Sequence, residues 1–140
     1  ENALNYYRQA HVLQPSDYYT LKPLLDLELS LNKETYPERT KEFFLVAPGN
    51  PTIYQDLMTM YWINDKPDEL LAFLSSQHET YMADPKVNGN LYFYEALIQF
   101  DKQDFIQAEA SFEKSRKIFR DVYEPDHRVF EVIDSYTSEL

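Results

Sequence analysis

The chain contains no cysteine and only two glycines among its 140 residues. Without cysteine it can form neither a disulfide nor a thiolate metal site, and thiol catalysis is excluded. So few glycines disfavour a glycine-rich phosphate-binding loop and tight β-hairpins, because both depend on that residue. No apolar run approaches the length of a membrane span, and no signal peptide is visible. The compartment stays open, because cytoplasmic and secreted domains alike can lack cysteine.

Basic residues are also scarce, since 13 lysines and arginines stand against 24 aspartates and glutamates and leave a net charge of −11. Nucleic acid and anionic membranes should repel a chain of this charge. We therefore predict no nucleic-acid partner and no membrane insertion. A basic or neutral partner is easier to accommodate. The alternative is that the charge serves solubility alone.

Candidate catalytic residues are few and scattered. His11, His78 and His127 fall on different predicted elements, and no two of them have the spacing of a helical metal site. The pair His78-Glu79 is typical of a solvated helix face, and no serine stands in a G-x-S-x-G setting. We predict that the chain is not an enzyme and that it holds no metal or other cofactor.

Apolar residues at helical spacing are what the chain has in abundance. Hydrophobic residues make up 44% of it and aromatic residues 16%, which is enough for a packed core. They recur every three or four positions, and no segment alternates long enough for a strand, so we predict an all-α fold of about eight helices. The predicted helices cover residues 2–14, 17–31, 36–46, 52–63, 68–82, 90–100, 105–122 and 129–140, and residues 84–89 form the longest predicted non-helical stretch.

Several residues predict where these helices begin. Thr35 and Glu38 match a capping box, in which each side chain satisfies a backbone N–H at the helix start. We expect Asp104 to cap the seventh helix. Pro23 falls inside the second predicted helix, so that helix should begin late, near Leu21, or bend at the proline.

A spaced set of small, aromatic and proline residues near the start of the chain returns in part about three periods of roughly 35 residues later. The first set is Ala3, Tyr7, Ala10 and Pro15, and the second is Ala108, Phe112 and Ser115. Such a period is typical of two-helix repeats, which bury their core between neighbouring units and present a long binding surface.

This pattern resembles the tetratricopeptide repeat, a helical hairpin of about 34 residues. In the best-matching stretch, residues 90–122, Ala96 occupies the small position of the first helix. Phe105, Ala108 and Phe112 occupy the aromatic, small and aromatic positions of the second. The resemblance implies a single domain, a right-handed superhelix (solenoid) of antiparallel hairpins, and we expect it to be a section of a longer chain. Its units would be a half repeat at 1–16, full repeats at 17–50, 51–86 and 87–124, and a half repeat at 125–140.

In that family the first helices of successive units line a concave groove that takes an extended peptide or a helix of a partner. By resemblance, the groove of this chain would be lined by Tyr19, Lys22, Asp26, Gln55, Thr59, Trp62, Asn90, Phe93, Leu97 and Phe100. Aromatic and amide side chains suit recognition of a peptide main chain with one or two apolar side chains. The alternative is that Trp62, Phe93 and Phe100 only pack between repeats.

One branch of the family binds acidic carboxyl tails through a clamp of Lys, Arg and Asn. Here Asp26 follows Lys22 by one helical turn, and Thr59 stands where the next unit would need Asn. An acidic chain would also repel such tails. The sequence therefore predicts that this clamp is absent.

The resemblance implies an interaction scaffold or adaptor that binds a protein or peptide partner. Two alternatives stay open: a regulatory domain that senses a peptide or small ligand for a larger protein, and a structural spacer or oligomerisation segment. Because terminal repeats normally carry polar outer faces, apolar residues at both ends also predict self-association of the unpaired terminal helices or contact with further repeats. These residues are Leu4, Tyr6, Tyr7, Val132, Tyr136 and Leu140.

Overall fold

A computed structural model describes residues 2–140, which contain eight α-helices and no strand. The prediction of an all-α fold is therefore confirmed. The helices are α1 (Asn2–Leu13), α2 (Tyr18–Ser30), α3 (Tyr36–Val46), α4 (Pro51–Ile63), α5 (Pro67–Ser76), α6 (Pro85–Asp101), α7 (Phe105–Phe119) and α8 (Arg128–Thr137). Within the described part of the chain, none of them is long and apolar enough to cross a membrane.

The chain divides into two compact units, and the second begins at Asp68, in the first turn of α5. Unit 1 contains α1 to α4 and the first residue of α5, Pro67. Unit 2 contains the other residues of α5 together with α6, α7 and α8. The division falls inside the predicted repeat at 51–86. The predicted repeat boundaries, and their assembly into one domain, remain a prediction.

Helix α2 is the central helix of unit 1, because it packs against α1, α3 and α4. In the sequence, two apolar stripes predict a helix covered on two sides: Leu21, Leu25 and Leu29 form one, and Leu24, Leu27 and Leu31 the other. The first stripe is buried together with Leu24, whereas Leu27 is half-buried and Leu31 is exposed. Burial of each such side chain contributes about 1.5–3 kcal/mol, so the position of α2 fixes much of this unit.

Helix α2 also continues through its proline. It begins at Tyr18 and includes Pro23, so the predicted late start near Leu21 is wrong. Pro23 has no N–H, and the carbonyl of Tyr19 therefore lacks the usual donor four residues later. Tyr19 is exposed, so water can satisfy that carbonyl at the surface.

The fully buried carboxyl group of Glu28 joins three parts of unit 1. Arg8 Nη2 of α1 lies 3.3 Å from Glu28 Oε2, and Arg39 Nε of α3 lies 3.2 Å from Oε1 without the alignment of a hydrogen bond. Thr35 Oγ1 donates to Glu28 Oε2 at 2.6 Å. The predicted capping box is therefore wrong: Thr35 is the N-cap residue of α3, but its side chain bonds to Glu28 and not to a helix N–H.

In unit 2, α6 and α7 form the most closely packed hairpin, and α8 packs on α7. The three-and-four spacing of α7 predicts a stripe that runs from Phe105 to Val122, and its members Ala108, Phe112, Ser115 and Phe119 are buried, together with Ser111 outside the stripe. Phe105, the first residue of that stripe, is largely exposed. Asp104 stands at the N-cap as expected, but its side chain makes no capping hydrogen bond.

The segment between α5 and α6 differs from the sequence prediction. Helix α5 ends at Ser76, short of the predicted end at residue 82, and turns follow. Helix α6 begins at Pro85, so the predicted non-helical stretch at 84–89 is wrong. Asp84 Oδ1 accepts from the Val87 N–H at 3.3 Å, and Pro85 fits the first turn because its missing N–H costs nothing there.

Gly89, which favoured a loop in the sequence, is instead a contact residue within α6. A Cβ at this position would lie 2.5 Å from Phe119 Cε1, inside van der Waals contact with a fully buried ring. Ser115 Oγ donates to the Gly89 carbonyl at 3.0 Å, so α7 crosses α6 close to its backbone. Only glycine permits this approach.

The same turn closes α2, α4 and α6. Its left-handed residue is Asn32, Asp65 or Gln103, with φ of 53°, 58° and 63°. The following N–H bonds to a carbonyl five residues back in each case: Lys33 to Glu28 at 2.8 Å, Lys66 to Tyr61 at 2.8 Å, and Asp104 to Gln99 at 2.9 Å. This is the Schellman arrangement, which satisfies carbonyls that a helix end leaves open.

Replacement of Glu28 by Gln should lower the free energy of unfolding by about 2 kcal/mol, because charge-assisted hydrogen bonds to a buried acceptor are lost. Urea unfolding followed by circular dichroism measures the change. Glu38→Gln is the matched control: Glu38 lies on α3, is exposed, and pairs only with Lys41 at 3.9 Å. We expect it to change stability by less than about 0.5 kcal/mol. Equal effects of the two substitutions would contradict the anchoring role of Glu28.

Replacement of Gly89 by Ala should destabilise the chain by about 1–3 kcal/mol, because the new methyl group overlaps the Phe119 ring. The loss should exceed any gain in helix propensity, which is about 1 kcal/mol. A double-mutant cycle with Phe119→Leu isolates the contact, and the paired substitutions should cost less than the sum of the two single ones. Strict additivity would show that the crossing does not limit this position.

Candidate binding surface

Exposed side chains of α2 and α4 lie side by side in unit 1. A depression of about 330 Å³ runs between the two helices, with Lys22, Pro23 and Asp26 on one wall and Thr59, Met60 and Ile63 on the other. Three of the residues that the sequence predicts as a groove, Lys22, Asp26 and Thr59, are thus brought together. We call the exposed side of α2 and α4 around this depression the α2–α4 surface.

An ion pair and a hydrogen bond connect the two helices beside the depression. Asp56 Oδ1 of α4 lies 3.4 Å from Lys22 Nζ, and Asp56 Oδ2 accepts from the Tyr18 hydroxyl at 2.5 Å. The hydrogen bond to Asp56 raises the pKa of Tyr18. Burial acts to lower the pKa of Lys22, but the charge and hydrogen bonding of Asp56 together with those of Tyr18 outweigh it, and the pKa is raised. Both groups therefore stay protonated near neutral pH, which keeps the bridge intact.

Large apolar side chains rise from this surface into solvent. Tyr19 is 81% exposed, Ile63 77% and Trp62 40%. Tyr19 also borders a second depression, of about 440 Å³, which Val46 and Ala47 line where α3 ends. Gln55 and Thr59 are exposed on α4, and the Thr59 hydroxyl donates to the Gln55 carbonyl at 3.0 Å. The surface therefore offers apolar contact area next to charges of both signs.

The four groove residues that the sequence predicts in unit 2 are placed differently. Asn90 and Phe93 are buried, and Leu97 and Phe100 are half-buried. The Phe100 ring packs edge-on against Tyr136 with centroids 5.1 Å apart. Asn90 and Phe93 are therefore corrected from surface to core positions, because nine of the 17 residues of α6 are buried. For Phe93 and Phe100 the packing alternative describes the structure, whereas Trp62 remains at the surface.

Pro23, Met60 and Ile63 line the depression and were missed by the sequence reasoning; Ile63 is exposed, Pro23 is half-buried and Met60 is buried. Ile63 follows Thr59 by four positions, so the same helical register that selected Thr59 could have found it. Pro23 was read only as a helix disturbance.

His78 of unit 2 lies at the centre of a polar cluster and not on the solvated helix face that the sequence predicts. Its ring stacks on Tyr92 with centroids 3.9 Å apart. Nδ1 lies 2.5 Å from Asn88 Oδ1, and Nε2 contacts the buried carboxylate of Glu95. Ser75 Oγ donates to Glu95 at 2.6 Å and not to His78, so the cluster lacks a nucleophile–base pair.

The two oxygen acceptors around His78 favour its doubly protonated form, in which both ring nitrogens donate. Burial acts to lower the pKa of His78, and Lys114 acts in the same direction. The hydrogen bonds to Glu95 and Asn88 and the charge of Glu95 outweigh both, so the pKa is raised. Protonation of His78 therefore fastens the segment after α5 to α6.

Residues 2–140 contain no group of three histidine, aspartate or glutamate side chains close enough to hold a metal ion. No protein-family model, curated protein or solved structure matches the chain. The resemblance to tetratricopeptide repeats thus rests on the sequence pattern of this chain alone.

The stability of the chain should fall as pH rises above the ordinary histidine pKa of about 6.5. A pKa raised in the folded state means that the folded chain binds the His78 proton more tightly, so this stabilisation is complete below the unfolded pKa and is lost as pH passes through the folded value. Urea unfolding across pH 5.5 to 8.5 measures the slope. The variant His78→Gln keeps a polar side chain and should lose this part of the slope. An unchanged pH profile would contradict the assignment.

Proposed function

We propose that the chain is a protein-interaction module that binds a segment of a partner protein, such as an extended peptide, along the α2–α4 surface. The observation that carries the proposal is a depression between two helices that Ile63 lines, with Tyr19 and Trp62 exposed on the same two helices. Large rigid side chains of this kind give much contact area for little loss of conformational entropy. Their exposure costs nothing if a partner covers them.

A tetratricopeptide-like superhelix is the arrangement we propose for the repeats. The shared Schellman turns after α2, α4 and α6 support it, because the intervals between their left-handed residues are close to the repeat length of about 35. The contacts of α2 with α1, α3 and α4 in unit 1 also support it. Each is the neighbour that the first helix of an internal repeat has in a stacked array.

The mechanism of binding would be preorganisation. Asp56 holds α2 and α4 together through Tyr18 and Lys22, and the buried leucines of α2 fix that helix from behind. The side chains of this surface would already be ordered by folding, so a partner segment would bind with little further loss of conformational entropy. Lys22 and Asp26 stand one turn apart at the depression and could bind the carbonyl and N–H groups of a peptide backbone.

Peptide selection with the folded chain tests the proposal. Peptides from a displayed random library are selected on the wild-type chain, and their affinities are measured by fluorescence anisotropy. Tyr19→Ala should weaken the binding of the selected peptides about tenfold or more, because an aromatic contact in a binding surface can be worth about 2 kcal/mol. Ile63→Ala should act in the same direction.

Tyr6→Ala is the matched control, since Tyr6 is 67% exposed on α1 of the same unit and does not line the depression. It should leave the affinity within about twofold. Failure to select any peptide, or equal affinity for the wild-type chain and Tyr19→Ala, would overturn the proposal.

Self-association through α1 is a second candidate function, which the exposure of Tyr6, Val12 and Leu13 on this helix favours. The other predicted terminal residues are less available. Leu4 is fully buried, and Tyr136 stacks on Phe112 with centroids 5.3 Å apart. A molecular mass that rises with concentration by light scattering, and falls to the monomer value in Tyr6→Ala, would favour this alternative.

A further inference from the structure

The end of α7 in unit 2 carries an unusual share of the basic residues of this acidic chain. Of 13 lysines and arginines, four lie between residues 114 and 120: Lys114, Arg116, Lys117 and Arg120. Two depressions of about 380 and 340 Å³ share Arg116 and Arg120 as lining residues. Glu113 is the one acidic side chain among the residues that line either of them. The residues that line the two depressions therefore carry a net positive charge, opposite to that of the whole chain, and the acidic residues Asp121, Glu124 and Asp126 follow the basic ones in the sequence.

Two of these cations have no partner within unit 2. Arg116 is engaged, because it contacts Asp134 of α8 and lies 3.3 Å from Glu113 Oε1. Lys117 and Arg120 are exposed and form no ion pair with any carboxylate among residues 2–140. Both side chains can therefore form an ion pair with an anion from outside the molecule. We call Lys117, Arg120 and the depression beside them the α7 basic surface.

The larger depression adds an apolar floor to this cationic rim. Tyr123, Pro125 and Phe130 line it together with the two arginines. The Tyr123 ring is held by His127, which stacks on it with centroids 3.9 Å apart. Cations in the last turn of a helix also complement the helix dipole, which would explain Arg116 and Lys117 by stability alone. The dipole does not explain an apolar depression beside them.

The chemistry of the surface selects among anions. Arginine binds carboxylates through paired N–H donors, and the apolar floor adds contact area for a neighbouring side chain. Nucleic acid and anionic membranes spread negative charge over a wide area, where the net charge of −11 opposes binding. A short peptide with few carboxylates meets the local positive charge and little of the rest.

We propose that the α7 basic surface binds an acidic peptide segment of a partner protein, with carboxylates on Arg120 and Lys117 and an adjacent aromatic side chain in the depression lined by Tyr123, Pro125 and Phe130. This site is separate from the α2–α4 surface, because every residue that forms it belongs to unit 2. It reverses, for this region, the expectation from net charge that a partner should be basic or neutral.

Fluorescence anisotropy with a defined probe tests the site. The probe is a labelled peptide in which one Phe is flanked on both sides by Glu in a Gly-Ser background. It should bind the wild-type chain at low salt, and Arg120→Glu should weaken it about tenfold or more. Lys86→Glu is the matched control, since it changes the net charge equally at an exposed position of α6 in the same unit. It should change the affinity less than about twofold.

The peptide itself supplies the remaining controls. Replacement of its Phe by Gly should weaken binding to the wild-type chain, and replacement of its Glu residues by Gln should abolish it. Phe130→Ser should reduce the preference for the Phe-containing peptide, with circular dichroism confirming that the variant is folded.

Four results would overturn the proposal. They are no binding of the probe, equal losses in Arg120→Glu and Lys86→Glu, no effect of the Phe in the peptide, and tighter binding of a single-stranded oligonucleotide than of the probe. A lower melting temperature of Arg120→Glu with unchanged peptide affinity would also contradict the proposal, because it would show that Arg120 stabilises α7 and does not bind the peptide. Because the α2–α4 surface takes no part in this assay, failure here leaves the proposed function of unit 1 unaffected.

Discussion

The buried carboxyl group of Glu28 is the constraint on which the arrangement of unit 1 depends. A carboxylate can lie in a core only if nearby donors replace the water that it loses. Arg8 of α1 and Thr35 at the start of α3 donate hydrogen bonds to Glu28 Oε2, and Arg39 of α3 places its positive charge 3.2 Å from Oε1. These groups come from different helices, so the contacts with Glu28 form only when α1, α2 and α3 are packed together. The apolar packing of α2 and the polar contacts of Glu28 therefore favour the same arrangement. These contacts fix which side of α2 is buried, and the opposite side is thereby left exposed next to α4 as the α2–α4 surface.

Helix existence was predictable throughout the chain, and helix ends were predictable only where local residues decide them. The stripe on α7 needs nothing beyond the chain's own spacing, and the structure buries Ala108, Phe112 and Ser115 accordingly. The end of α5 and the start of α6 depend on contacts between segments. His78 leaves the helical path to meet Glu95 on α6, and Gly89 is helical because the Phe119 ring needs its missing side chain. Neither contact can be read from the sequence pattern, in which a glycine indicates a turn and a histidine next to a glutamate indicates a solvent-exposed position.

The candidate surface was predictable in unit 1 and not in unit 2 for a related reason. Helical register alone places Lys22 and Asp26 on one side of α2, and the contact of α2 with α4 adds Thr59 to them. In unit 2 the same register selected Asn90 and Phe93 on a helix whose circumference is mostly covered, so a surface assignment failed. Which side of a helix faces solvent depends on how many neighbours it has, and a sequence pattern rich in aromatic residues on all sides, such as that of α6, does not settle that number.

Net charge illustrates the difference between an average over the chain and a local property. The value of −11 is a sum over the whole chain, but exposed charges farther apart than the screening length, about 8–10 Å at ordinary salt, barely act on one another. A contact with a partner is made within that distance, where only the neighbouring groups count. At the end of α7, Arg116 is already balanced by Asp134 and Glu113, whereas Lys117 and Arg120 are not. Which charged groups are already paired therefore decides what can bind there. The composition alone favours a basic or neutral partner, whereas the unpaired cations favour an acidic one.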